Sequence, residues 1–114
     1  MRLYFYKKAN YMPQPVFEKA VQAESLRTFG VSIETDLVQS EWYDEEGDHR
    51  VFERVYATDF SFDHDGAKVS GRFPQPVLVA VENVITADRR WPLYDLGDHI
   101  KAVCGQINFD SVKV

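Results

Sequence analysis

One cysteine, Cys104, occurs in the 114 residues, so no internal disulfide framework staples the fold and a reducing compartment suits the chain. Long apolar runs are missing too. Uncharged stretches such as Phe73 to Val81 reach nine residues, far short of the ~20 that cross a bilayer as a helix. After Met1 the apolar run spans only Leu3 to Tyr6 and leads into Lys7 and Lys8, too short and wrongly ordered for a secretory signal. The expectation is a cytoplasmic protein with no membrane partner. No G-x-S-x-G elbow, glycine-rich phosphate loop or H-E-x-x-H pair occurs, which leaves serine hydrolase, nucleotide and zincin chemistries without support. The three histidines, His49, His64 and His99, lie 15 and 35 residues apart, with none at the spacing of a metal-ligand pair.

What is present is a composition of 45% hydrophobic, 14% aromatic and 27% charged residues, that of one folded domain without a disordered tail or fibrous repeat. A chain this long buries roughly two thirds of its unfolded surface, enough for a core without staples or metals. The net charge of -5 favours solubility and disfavours nucleic acid or anionic membranes as partners. Its placement is uneven. Eleven acids (Glu34, Asp36, Glu41, Asp44, Glu45, Glu46, Asp48, Glu53, Asp59, Asp63 and Asp65) face two bases, Arg50 and Arg54, so this segment carries -9 and the rest +4. Such a run is either a solvated face or a negative surface complementary to a basic partner, and the two are compatible.

The aromatic run Leu3 to Tyr6 suits a strand buried on at least one face. Pro15 suits a first helical position, Gly30 a helix stop and Arg27 a last turn, predicting a helix over 15–29. At 100° per residue its Val16, Phe17, Ala20, Val21 and Ala23 fall within about 160° of arc, a stripe that packs on something flat, with Leu26 and Phe29 off it. From Val31 the period becomes two: Val31, Ile33, Thr35 and Leu37 share one side, and Trp42 and Tyr43 continue the strand. Asp44-Glu45-Glu46-Gly47-Asp48 reads as a polar hairpin loop. Arg50 to Phe62 follows as a long strand, read with Phe52, Tyr56, Phe60 and Phe62 on one face and Glu53, Asp59 and Ser61 on the other.

Asp65-Gly66 between alternating runs is the type I′ hairpin signal. Counting outward pairs His64 with Ala67, Asp63 with Lys68, Phe62 with Val69, Phe60 with Gly71 and Asp59 with Arg72, so acids meet bases and phenylalanines meet small or apolar partners. Pro74-Gln75-Pro76 then predicts a break in the sheet, followed by a buried interior strand over Val77 to Val81. Asp88 to Pro92 reads as a polar turn, the segment near 96–104 as a short second helix, and Ile107 to Val114 as a closing strand.

Ser61-Phe62-Asp63-His64-Asp65-Gly66 matches the first half of a calcium loop, but the twelfth position, which must supply a glutamate, is Arg72, so no metal is expected. Cys104, between Val103 and Gly105, reads as a small core hydrophobe rather than a thiol nucleophile. Glu45 and Glu46 have no apolar wall to raise a carboxylate pKa and read as solvated loop acids. Arg89-Arg90-Trp91 has the residue types of an interface hot spot but reads more readily as packing.

The element order predicts a single α+β domain over 1–114, an antiparallel meander sheet with one main amphipathic helix across it. That outline resembles cystatin-like and similar helix-on-sheet architectures, on topology alone. No catalytic residue and no cofactor is expected, and an enzyme is the less favoured class. The function expected is a small acidic protein-binding module of inhibitor, immunity or antitoxin type, with Trp42, Tyr43, Asp44, Glu45, Glu46 and Asp48 contacting a basic protein partner and neither nucleic acid nor membrane. The alternative is a ligand-binding or enzyme domain with a pocket between helix and sheet, lined by residues such as Phe17, Phe52 and Tyr56.

Overall fold

A proline at the first helical position costs no hydrogen bond, because that N–H has no partner inside a helix, and α1 begins there in the computed structural model, spanning Pro15–Phe29. The structure describes residues 15–104 and the two-residue strand β1, Tyr4–Phe5; the expected closing strand at 107–114 lies outside them. Glu18 in the first turn and Arg27 in the last complement the helix dipole. Gly30 ends the helix at φ 72°, its N–H donating to the Leu26 carbonyl at 3.0 Å while the Val31 N–H reaches that of Ser25 at 3.4 Å.

The stripe that α1 buries is Phe17, Val21, Ser25 and Phe29, four residues apart. It differs from the expected one: Val16 is 73% exposed, Leu26 55%, and Ala23 also faces out. Two phenylalanines and a valine gain more from burial than Val16 and an alanine would. Ser25 tolerates burial because its hydroxyl donates to the Val31 carbonyl at 2.8 Å.

The strands β2 (Ser32–Tyr43), β3 (His49–His64), β4 (Ala67–Asn83) and β5 (Asp88–Arg90) form an antiparallel meander that β1 extends, in the order β1-β2-β3-β4-β5. A single 3₁₀ turn, Pro92–Asp95, leads into α2, Leu96–Cys104. The fold is therefore a single-domain α+β fold. The β3–β4 turn is as expected: Asp65 and Gly66 both have positive φ, 51° and 81°, and all five counted pairs hold. Gly71 lies under the Phe60 ring so closely that a Cβ there would sit 2.7 Å from the ring tip.

Three expectations about the sheet are corrected. The register runs Glu34 opposite Asp59 but Thr35 opposite Ala57, leaving Thr58 as the extra residue of a β-bulge. A one-residue slip exchanges the faces of a strand, so Val51, Glu53, Val55 and Ala57 join Phe60 and Phe62 on the buried side. Phe52 and Tyr56 turn to the opposite side, and Glu53, read as wet, is fully buried. On β4 the partners jump from Arg72 opposite Asp59 to Val77 opposite Ala57. Pro74-Gln75-Pro76 thus interrupts pairing without ending the strand, because proline lacks only the ladder donor. The run after it is fully buried at Val79 and Ala80 alone, while Leu78 is 37% exposed. The expected polar turn at 88–92 contains β5. The turn lies at 84–87 instead, where the Asn83 side chain accepts from the N–H groups of Ile85 and Thr86 at 3.1 and 3.2 Å.

Both helices and the 3₁₀ turn cover one face of the sheet. Phe17, Val21 and Phe29 from α1 and Leu93, Leu96 and Ile100 from the C-terminal elements pack with Val31, Ile33, Val55, Phe60, Phe62 and Phe73. No described helix lies on the other face.

Candidate functional site

The expected partner-binding residues lie at the β2–β3 hairpin end, where Tyr43 pairs with His49 and five residues, 44–48, close the loop. A loop of that length needs an internal organiser, and Asp44 supplies it. Its Oδ1 accepts from the N–H groups of Glu46 at 3.1 Å and Asp48 at 2.9 Å. Its Oδ2 accepts from Arg50 Nε at 3.1 Å and Nη2 at 2.8 Å. Across the loop, the Asp44 N–H donates to the Asp48 carbonyl and the Gly47 N–H to that of Asp44, at 3.0 and 2.9 Å. Gly47 takes φ 84°, which a side chain would resist. Burial pushes the Asp44 carboxyl up, but the Arg50 guanidinium and the Asp48 and Glu46 N–H groups outweigh it and hold the pKa below the ordinary aspartate value. Arg50 is held correspondingly higher, first by its hydrogen bond to Asp44.

Asp44 is 4% exposed, so it shapes the loop rather than presenting a charge. Glu45, Glu46 and Asp48 point into solvent. Trp42 and Tyr43, adjacent in a strand, go to opposite faces. Trp42 stacks on Phe52 on the open face at 5.3 Å, and Tyr43 stacks on His49 at 4.6 Å. His49 Nε2 is 2.8 Å from Oε2 of the buried Glu41. The structure therefore brings Glu45, Glu46 and Asp48 together on one tip, sets Trp42 and Tyr43 on either side of it, and turns Asp44 inward.

Beside this loop lies the β4–β5 turn. A hollow of about 440 Å³ opens between them, lined by Asp48, His49, Arg50, Asn83, Ile85 and Thr86. Ile85 is 48% exposed and gives the tip an apolar neighbour that the sequence did not signal, because nothing local says which turns share an end.

On the helix side of the sheet a polar row crosses four strands in register: Gln39, Glu53, Glu82 and Arg89. Gln39 donates to Glu53 at 3.1 Å and Arg89 to Glu82 at 2.6 Å. The Arg89 guanidinium lies 4.7 Å from the Phe17 ring centre and 5.4 Å from that of Trp91, so Arg89 and Trp91 pack here, with cation–π support.

The alternative pocket does not form as expected, since Phe17 is in the core while Phe52 and Tyr56 belong to the opposite face. A hollow of about 560 Å³ does open between α2 and β4, lined by Phe73, Pro74, Gln75, Pro76, Val77, Leu78, His99, Ala102 and Val103. Among the described residues its lining offers one titratable side chain, His99, and no acid beside it for paired proton transfer. Cys104 packs half-buried against the core, and burial pushes its thiol pKa up, away from the thiolate that nucleophilic chemistry needs. Arg72 bonds Asp59 at 3.2 Å, and among the described residues no three His, Cys, Asp or Glu side chains converge on a common point. No described helix is long and apolar enough to cross a membrane.

Comparison of the chain with protein-family models, with curated protein sequences and with solved structures gives no match.

Proposed function

We propose that the chain is a small protein-binding module of the inhibitor, immunity or antitoxin kind, whose 44–48 loop seats on a basic surface of its partner. The observation that carries this reading is the loop itself. The buried Asp44 fixes it through Arg50 and the loop amides, and three carboxylates, Glu45, Glu46 and Asp48, project from the tip, outnumbering the half-exposed Arg50 that lies 4.0 Å from Asp48. A loop held in one conformation before binding loses little entropy on docking, and a local excess of one sign of charge steers encounter with a complementary surface. Trp42 on one flank and Ile85 on the other offer apolar contact around the charged point. Such a tip repels phosphates, which argues against nucleic acid as the partner.

The test uses a partner captured from the native host. Replacing Glu45 and Glu46 together by lysine slows association by about tenfold or more and removes its salt dependence, with circular dichroism unchanged. Trp42→Ala speeds dissociation. A partner that binds this double variant at the parental rate at both low and high salt overturns the assignment of the loop.

A further inference from the structure

The open face of the sheet carries both signs of charge, divided unevenly between its two halves. Toward the 44–48 loop it shows Arg54, paired in register with Val38 and Val81, and Arg90 beyond them. One row further along come Asp36, Tyr56 and Leu78, then Glu34 opposite Asp59, which Arg72 pairs on the same face at 3.2 Å, and Asp63 opposite Lys68, while Asp88 stands in the row beyond Arg54 toward the loop. Val38 is 46% exposed and Leu78 37%, and Arg54 lies 5.5 Å from the Phe52 ring centre. A face with Val38, Tyr56 and Leu78 near its middle, bases outnumbering acids in one half and acids outnumbering bases in the other complements itself when rotated by half a turn.

We infer that this face binds a second copy of the chain. The twofold axis lies across the strands in the plane between the two sheets, between the rows of Arg54 and Tyr56. It sets the Arg54 of each copy against Tyr56 and Asp36 of the other, with Val38 and Leu78 brought under cover. Residue i meets j and j meets i, as a closed twofold contact requires. The axis falls near the middle of β3, a strand of 16 residues, so the two faces overlap along most of their length. The overlap of about 12 residues, the length of β2, at ~3.3 Å by three strands at ~4.8 Å makes a surface of roughly 570 Å² per copy, about 1,100 Å² in total and just above the ~1,000 Å² that a biological interface should clear. Aligned sheet packing of this kind is the ordinary arrangement of a β-sandwich. The two acidic tips then point away from each other at opposite ends with Glu45, Glu46 and Asp48 accessible, and Trp42, which lies on this face, is the one residue the two readings share, so the Asp36 and Leu78 variants test this inference apart from the loop.

Sedimentation of the 114-residue chain tests it, across a concentration range reaching about 100 μM. The expected result is a concentration-dependent monomer–dimer equilibrium. Asp36→Arg and Arg54→Asp each weaken it by about tenfold or more by placing like charges together, and the double variant recovers to within about threefold of the parent. Leu78→Lys weakens it without touching either charge. Asp36 and Leu78 are exposed, so both of these variants keep the fold, as circular dichroism checks. A parent that stays monomeric throughout the range overturns the inference. So does a dimer indifferent to Asp36→Arg and Leu78→Lys, or a double reversal no better than Asp36→Arg alone.

Discussion

The two faces of β3 invert the usual order of side chains. The covered face takes Val51, Glu53, Val55 and Ala57, one of them a charged residue at 0% exposure, while the open face takes the larger Phe52 and Tyr56 half-buried. Residue size did not decide this. The phase of the strand did, and Thr58 sets that phase by being the one residue between His49 and Ser61 without an opposite number on β2. On its far side the phenylalanines, Phe60 and Phe62, are in the core. Glu53 accepts its place because Gln39 donates to it in the same row, and Phe52 accepts its own by stacking under Trp42.

The largest expected effect breaks that phase directly. Inserting an alanine between Glu53 and Arg54, where β3 and β2 pair without a bulge, forces one half of β3 onto the wrong face, and denaturant unfolding registers a loss on the order of 4 kcal/mol or more. Next comes the contrast between neighbours: Val55→Asp buries an uncompensated carboxylate and costs about 3 kcal/mol or more, whereas Tyr56→Asp on the open face costs about 1 kcal/mol, both from urea midpoints. Gly71→Ala drives a methyl into the Phe60 ring and costs about 1 to 3 kcal/mol by the same measurement. Gly66→Ala, remote from both faces, costs about 1 kcal/mol through its positive φ.

The smallest effect concerns pH at the hairpin end. Asp44 titrates below its unfolded value, so the stability it contributes is present above the unfolded pKa and is lost as pH falls through the lower folded one. Hydrogen exchange at the Glu46 and Asp48 amides is therefore expected to lose protection in that acid window. In Asp44→Asn the protection loses this pH dependence, since an amide does not titrate there.

The legible parts of the molecule are those where a single residue dictates geometry. Pro15 and Gly30 bracket α1 because one lacks a donor and the other tolerates φ 72°. Asp65-Gly66 fixes five pairs because a two-residue turn allows only one register. The bulge was illegible because Thr58 is an unremarkable strand residue; its extra position shows only when β2 is laid beside β3. The same holds for the candidate site. The run of acids marks the 44–48 loop in the sequence, but Asp44 looks like its neighbours until Arg50 is placed across the loop, and nothing in 84–87 announces that Ile85 stands beside it.

Proton–proton contacts in the unmodified protein test the account most directly, by nuclear Overhauser spectroscopy across β3. The account predicts that Val55 and Ala57 methyl protons give cross-peaks to core side chains of the helix side such as Val21 and Phe17, while the Phe52 ring gives them to Trp42. Cross-peaks from the Phe52 or Tyr56 ring to Phe17 or Val21 would place the aromatic side of β3 in the core and contradict it.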